Sequence, residues 1–525
     1  MKVLITDPIE QVCTDILQKD GIQVDAKPGL PPDEIKKIIG GYDALIVRSG
    51  TKVTADIIAE ANGMKVIGRA GAGVDNIDVP AATRKGIVVM NTPGGNTIST
   101  AEHTMALMMS LSRNVPQAFR DLQNGKWERK KYMGTELFGK TLGVVGLGKV
   151  GREVAVRAKA FGMNVIGYDP LLAADVASKL GVELVPLDEI YRRSDFITVH
   201  TPLTEETRGI LGEKAFAMCK QGVRVINCAR GGIIDEEALL KALESGKVAG
   251  AAFDVFIKEP PGDNPLFKHP KVIATPHLGA STEEAQEKVA KQIGEQLVDF
   301  FKGRGIVGAV NIIDYQTAVS DELRAYLVLA EKIGSLQAQL LTGKVKSITA
   351  SYRGTMLQNS SELLSTAVLK GMLDKLMYAP VNFVNAPLIA KEMGIAVSEK
   401  KDQAGEHYQH LLSIGVQTDR EERTVDGTVF GEKEMRIVCI DKFHFEIVPE
   451  GRLLFYTNID RPGMLAAVGS LLASSKVNIA GMSLGRSGPG ERALAVMSVD
   501  SDISDSVLKE ISKLPGVSEV KSVNL

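Results

Sequence analysis

The stretch Leu142-Gly143-Val144-Val145-Gly146-Leu147-Gly148-Lys149-Val150-Gly151-Arg152-Glu153-Val154-Ala155 decides how the rest of the chain is read. A short apolar run leads into Gly146-x-Gly148-x-x-Gly151, and a helical pattern over 152–161 follows at once. With 52 glycines in the chain, such a motif alone says little. Its setting says more, because the next strand pattern ends on Asp169, 18 residues past Gly151. In that setting Gly146 permits a tight turn, Gly148 lets backbone approach a pyrophosphate, and Gly151 lets the helix close on the strand. The helix N-terminus presents free N–H groups and a positive dipole end to phosphates. Asp169 is placed to accept bonds from ribose hydroxyls and to repel a 2′-phosphate, so the expected cofactor is NAD rather than NADP.

Outward from this unit the chain keeps alternating. Apolar runs at 3–5, 22–24, 44–47, 66–67 and 87–89 are separated by amphipathic stretches. Strands alternating with helices predict a parallel sheet covered on both faces. A helical pattern covers about 99–113, and a second strand series follows at 142–145, 165–168, 196–200, 225–227, 250–255 and 272–274. These six strands suit a complete dinucleotide-binding sheet. A helix over about 283–302 is expected to return the chain to the first domain. Gly71-Ala72-Gly73 also follows a strand, but it has no third glycine in register. It reads as a cleft-facing edge of the first domain.

Residues 312–450 mix helical stretches with strands such as 346–352 and 434–439, and Asp426-Gly427 reads as a hairpin turn. Residues 452–525 read strand, helix, strand, strand, helix, strand, a small split βαβ sandwich. The expected fold class is α/β, with two doubly wound parallel-sheet domains, the first flavodoxin-like and the second of Rossmann type. An α+β domain and a βαββαβ domain follow. The expected boundaries are 1–97 with 283–311, then 98–282, 312–450 and 451–525.

Composition removes several function classes. A net charge of -2 argues against a nucleic-acid binder built on phosphate contacts, while leaving room for a small anion site. The four cysteines form no C-x-x-C pair, so neither a zinc ribbon nor a disulfide framework is expected, and no metal site is proposed. Scattered cysteines suit a reducing, cytoplasmic location. The N-terminal MKVLITDPIEQ lacks the apolar core of a signal peptide. No apolar run approaches the ~18 residues of a membrane span, so no membrane partner is expected.

Open α/β sheets bind ligands beyond the carboxyl ends of their strands. In the second domain those ends are Gly146, Asp169, Thr201, Arg230, Asp254 and His277, with Glu259 in the loop after Asp254. Oxidation of a 2-hydroxyacid needs this set. A planar donor such as Arg230 can hold a carboxylate through two bonds. A base titrating near neutrality, His277, can take the hydroxyl proton. Glu259 can fix its tautomer, and Arg230 can polarise the carbonyl oxygen in reverse. Of the other histidines, His103 and His269 read as surface or packing residues and His200 as structural.

The segments VVGLGKVGREVA (144–155), VHTPLTEETRG (199–209), INCARGGIIDEEAL (226–239), AAFDVFIKEPP (251–261) and TPHLGASTEEAQ (275–286) resemble signatures of the D-isomer-specific 2-hydroxyacid dehydrogenases. They run in that family's order over about residues 1–310. The resemblance implies Arg230, Glu259 and His277 as the catalytic set. It also implies cofactor contacts at Lys149, Val150, Cys228 and Ala229, and polar contacts from Thr201 and Asp254. Ala72, Leu278, Gly279 and Ala280, together with Arg230 and His277 themselves, complete the expected cofactor-facing residues.

In the first domain, Arg48 and Ser49 on one loop and Gly95 and Asn96 on another could hold a phosphate. A basic cluster, Trp127-Glu128-Arg129-Lys130-Lys131, precedes the nucleotide domain. RSGTKV (48–53), GRAGAGVDNID (68–78) and NTPGGNTISTAEHTMALMM (91–109) are similar to the phosphoglycerate-dehydrogenase branch of that family. The long form of that branch implies an allosteric substrate-binding-type domain and a C-terminal ACT domain. It further implies NAD-dependent oxidation of 3-phospho-D-glycerate to 3-phosphohydroxypyruvate, the first step toward serine. Two alternatives stay open. One is a relative acting on glycerate, lactate or erythronate 4-phosphate. The other is a dinucleotide-sensing corepressor, which would carry no ACT tail.

Leu453–Leu465, reading LLFYTNIDRPGML, resembles the opening of an ACT domain. Asn458 and Asp460 at the strand end, with Asn478 after the helix, are the expected contacts for a serine effector. Binding between chains of a homo-oligomer, dimer or tetramer, would suit that site.

Overall fold

A computed structural model describes residues 1–312, 320–377, 380–402, 408–431 and 433–525. The short stretches between them fall within the segment expected at 312–450 and lie outside the described residues.

The first sheet has five parallel strands in the order Gln23–Ala26, Lys2–Ile5, Ala44–Val47, Val66–Arg69, Val88–Asn91. This is the 2-1-3-4-5 order of a flavodoxin-like fold. Ala44–Val47 is buried along its whole length, as befits a central parallel strand covered on both faces. Helix Glu283–Phe301 lays Val289, Ala290, Ile293 and Leu297 on this sheet with Val3, Ile5 and Val66. A Cβ at Gly68 would sit 2.9 Å from Ile293, so that strand needs a glycine for the helix to seat.

The second sheet has seven parallel strands, one more than the sequence predicts. Their order is Val272–Ala274, Val248–Phe253, Val223–Asn227, Phe196–Val199, Thr141–Val145, Asn164–Tyr168, Glu183–Leu184. The extra strand, Glu183–Leu184, is a two-residue edge strand, too short to carry a periodicity. Helix Thr97–Arg113 joins the two sheets and buries Ala101, Met105, Met108 and Leu111 against the second.

A third sheet of six strands, antiparallel except at Val345–Arg353 with Ala396–Asp402, packs on helices Asp321–Leu340 and Ser361–Leu376. Here the expected turn at Asp426-Gly427 is corrected. Both residues lie inside strand Glu422–Phe430, where the register shifts in a bulge. A Cβ on Gly427 would meet Ile333 at 2.9 Å, so close helix packing, not chain reversal, selects this glycine.

The last unit has helices Met464–Ser474 and Asp505–Ser512 on one face of an antiparallel sheet. Its strand order is Ile479–Arg486, Arg492–Val499, Arg452–Ile459, Val517–Asn524. No helix among the described residues is long and apolar enough to cross a membrane.

Candidate active site

The nucleotide turn is built from close backbone approach. A Cβ at Gly151 would stand 2.0 Å from the Gly146 carbonyl oxygen, and Gly146 itself has φ +92°. At Gly148 a Cβ would meet nothing within 4 Å and would project into open space at the start of helix Lys149–Ala160. That opening is the cradle a pyrophosphate needs. Asp169 accepts from Leu147 N at 2.8 Å and Leu171 N at 2.9 Å, which aims the carboxylate and leaves each oxygen a free lone pair. Replacing Asp169 by alanine is expected to relax discrimination against NADP. The check is kcat/KM for both cofactors, and a wild type that prefers NADP would overturn this role for Asp169.

Two cavities meet at the rim between the first and second sheets. One, of about 380 Å³, is lined by Ala72, Val150, Thr201, Cys228, Ala229, Asp254, Gly279 and Ala280 among others. The Thr201 hydroxyl is buried there without a hydrogen-bond partner, a polar atom waiting for a ligand group. The other, of about 430 Å³, is lined by Arg48, Ser49, Arg69, Asn96, Glu259 and Ser281 among others. Arg230 and His277 line both. The residues of the first cavity therefore suit a dinucleotide, and the shared wall is where two bound molecules would react.

At that wall His277 Nδ1 lies 2.7 Å from Glu259 Oε2, and both side chains are partly open to solvent. Phe256 N donates to the other Glu259 oxygen at 3.1 Å. Burial alone would raise the Glu259 carboxyl, but the bond to His277, the charge of that ring and the Phe256 N–H together outweigh it, and the net direction is down. A carboxylate that stays ionised can orient the imidazole and support its protonated form. His277 sits at φ +55°, an uncommon conformation for a side chain of this size.

Arg230 donates from Nε to Asp75 across the cleft at 2.9 Å. Asp75 belongs to the first domain, so a carboxylate already occupies part of the guanidinium fork. A Cβ at Gly231 would collide with the Phe256 backbone at 2.0 Å, which explains a glycine after the arginine. Beyond Arg230 the second cavity gains two more guanidinium groups. Arg48 Nε is buried without a partner. Arg69 is pushed down to about 10 by burial, with Arg230 and Arg48 acting in the same direction, so it is still charged at neutral pH. Its Nε donates to Asn76 Oδ1 at 2.9 Å, and Asn76 in turn holds the Arg48 and Thr51 carbonyls. Asp7 fixes the same loop by accepting from Arg48 N at 2.6 Å and Thr51 N at 3.1 Å.

Of the expected substrate contacts, Arg48, Ser49 and Asn96 line the second cavity. Gly95 is pressed to Val289, which a Cβ would meet at 2.4 Å. Arg69, Asp75, Asn76 and Asp7 were missed. Arg69 ends strand Val66–Arg69, and carrying the strand-end reading that gave Arg48 and Asn96 to this strand as well would have found it. His103 is neither a surface nor a packing residue. Its Nε2 lies 3.0 Å from Thr275 Oγ1 and 3.2 Å from Asp254 Oδ1. His200 follows its structural reading, with Nε2 2.9 Å from Thr198 Oγ1 and the ring pushed down to about 4 by burial.

The regulatory candidates do not all meet within one chain. Asn458 is buried and donates to the Ile459 carbonyl, and Asp460 accepts from Arg486 at 3.3 Å. Asn478 donates to Asp500 at 2.7 Å. Ile459 pairs with Arg492, whereas Ile479 pairs with Val499. At ~3.3 Å per residue, those seven positions separate the two groups by roughly 23 Å.

Comparison with known proteins gives three family matches in chain order. They are the NAD binding domain of D-isomer specific 2-hydroxyacid dehydrogenases over residues 105–279, the D-3-phosphoglycerate dehydrogenase intervening domain over 322–441, and an ACT domain over 452–516. The D-3-phosphoglycerate dehydrogenase of Archaeoglobus fulgidus is 45% identical, with 100% of both chains covered. The chain belongs to the D-3-phosphoglycerate dehydrogenase family. It is an NAD-dependent oxidoreductase with an NAD-binding domain, an intervening domain and an ACT domain. Among solved structures, the TT0316 protein of Thermus thermophilus is 34% identical with a TM-score of 0.55, covering 59% of this chain and 100% of its own. A D-lactate dehydrogenase from Aquifex aeolicus complexed with NAD and lactic acid is 28% identical with a TM-score of 0.51, covering 58% of this chain and 96% of its own.

Proposed function

We propose that the chain oxidises 3-phospho-D-glycerate to 3-phosphohydroxypyruvate with NAD, the first step toward serine. The observation that carries this reading is the trio Arg48, Arg69 and Arg230 on one cavity. A simple acid such as lactate has one anionic group and needs one arginine. A phosphorylated hydroxyacid has two, one at each end, and the trio supplies a donor set for both.

Arg230 holds the substrate carboxylate, displacing Asp75. Arg48 and Arg69, with Ser49 and Asn96, hold the phosphate. The hydroxyl on C2 then lies beside His277, which takes its proton as the C–H bond opens. Bound NAD supplies the acceptor for the hydride. Glu259 steadies the imidazolium that forms, and Arg230 stabilises the oxygen as it becomes a carbonyl. In reverse the same groups return the proton.

The direct test is NADH production from 3-phosphoglycerate beside lactate and glycerate. Arg69→Ala is expected to lower kcat/KM for 3-phosphoglycerate by about 10- to 100-fold, the scale of one charge-assisted bond, and to leave any rate with lactate nearly unchanged. Equal losses on both acids would remove the phosphate from this site.

Serine is the effector proposed for the ACT unit, through Asn458, Asp460 and Asn478. Their separation in one chain favours a site completed by a second copy. An exposed apolar group, Val115, Phe119, Leu122, Trp127, Met133 and Phe138, favours a homo-oligomer as well. Cytoplasmic residence fits buried, unpaired cysteines. Asp460→Ala is expected to abolish serine inhibition without lowering the uninhibited rate, measured as initial velocity against serine concentration. Full inhibition of that variant would move the effector elsewhere.

A further inference from the structure

We infer that His103 is a positioning residue for the reaction, acting through Asp254 on the loop that carries His277. The carboxylate of Asp254 is fully buried. Its Oδ1 accepts from Leu278 N at 2.7 Å, Thr275 Oγ1 at 2.6 Å and His103 Nε2 at 3.2 Å, and its Oδ2 accepts from Gly279 N at 2.8 Å. Two of the four donors are the backbone amides directly after His277. Thr275 spends its proton on Asp254, so the His103 Nε2–H is the donor that Thr275 Oγ1 and Asp254 Oδ1 share.

Each donor has a separate job. The two amides define the loop, and a residue at φ +55° ahead of them needs such a restraint to persist. A buried carboxylate, in turn, keeps its charge only while donors surround it. Burial would raise the Asp254 carboxyl, and the bonds from His103, Thr275 and Leu278 bring it down instead. His103 stands on helix Thr97–Arg113, which joins the two sheets. Thr100, one turn earlier on the same helix, donates to the Gly279 carbonyl at 3.0 Å. The joining helix therefore grips the catalytic loop twice, by Thr100 directly and by His103 through Asp254. His103 itself lines neither cavity.

The inference rests on the proposed reaction for its kinetic readout, and a second readout needs no substrate. His103→Leu removes the donor, and His103→Gln keeps an N–H donor close to the Nε2 position. His103→Leu is expected to lower kcat for 3-phosphoglycerate by about 100-fold, the scale of a 1 Å misplacement of a reacting group. With substrate deuterated at C2, its isotope effect on kcat should rise as hydride transfer becomes limiting. NADH affinity by fluorescence titration should fall far less than kcat, because the pyrophosphate turn is untouched and only the Asp254–Gly279 edge of the cofactor cavity is loosened. His103→Gln should recover most of kcat. Hydrogen exchange at the Leu278 and Gly279 amides should quicken in His103→Leu and stay near wild type in His103→Gln. Unchanged exchange in His103→Leu would overturn the inference whatever the substrate. So would a His103→Gln variant as impaired as His103→Leu.

Discussion

His277→Ala is expected to lower kcat by about 10²- to 10⁴-fold, the usual contribution of a general base, while NAD affinity stays near that of the wild type. The first half follows from geometry. The imidazole is tied to Glu259 at 2.7 Å through Nδ1, which leaves Nε2 to face the cavity wall it shares with Arg230. An imidazole is the side chain suited to exchanging a proton with a substrate hydroxyl. Of the nearby histidines, His200 is held neutral by burial and His103 is committed to Asp254. The second half follows from where the cofactor contacts lie. The turn at Gly146–Gly151 and the Asp169 carboxylate sit on other strands and lose nothing. Stopped-flow measurement of the hydride step, with NADH titration for affinity, separates the two. A variant that keeps most of its kcat would take the base role from His277.

Arg230→Ala is expected to cost about 10²- to 10⁴-fold in kcat/KM, from two charge-assisted bonds worth ~1.5–3 kcal/mol each. The loss should be divided between KM and kcat. Carboxylate binding appears in KM, and stabilisation of the oxygen as it becomes a carbonyl appears in kcat. Arg230→Lys should recover little, since a point charge cannot reproduce the planar fork. Steady-state kinetics on the two variants decides this. A loss confined to KM would leave Arg230 as an anchor only.

The second sheet was readable because its chemistry lies at strand ends. A parallel sheet carries every carboxyl end to one rim, so Gly146, Asp169, Thr201, Arg230, Asp254 and His277 could be grouped before any contact was known. In the first sheet the loops after the strands at 44–47 and 87–89 were read in the same way, but the end of the strand between them was not, and Arg69 was missed for that reason. His103 was hidden for a different reason. Helical periodicity says which face is buried, not what that face meets some 150 residues later. Asp426-Gly427 carries a strong turn signal, yet the packing of helix Asp321–Leu340 turned it into a bulge within a strand. Asn478 was grouped with Asp460 because it follows the helix and opens the next strand, and the register of strands in the sheet places the two at opposite ends.

The contact between Arg230 and Asp75 changes what substrate affinity means in this molecule. The guanidinium is not bare before the hydroxyacid arrives, because it already carries a tethered carboxylate from the opposite wall. Capture is therefore an exchange of one counter-ion for another, close to neutral in charge. Stray anions with a single weak contact must compete against a partner that is always at hand. A ligand that also engages Arg48 and Arg69 gains where the tethered group cannot follow. On the proposed reading the cleft is a filter for anions with two charged ends, set by the Asp75 carboxylate on its wall.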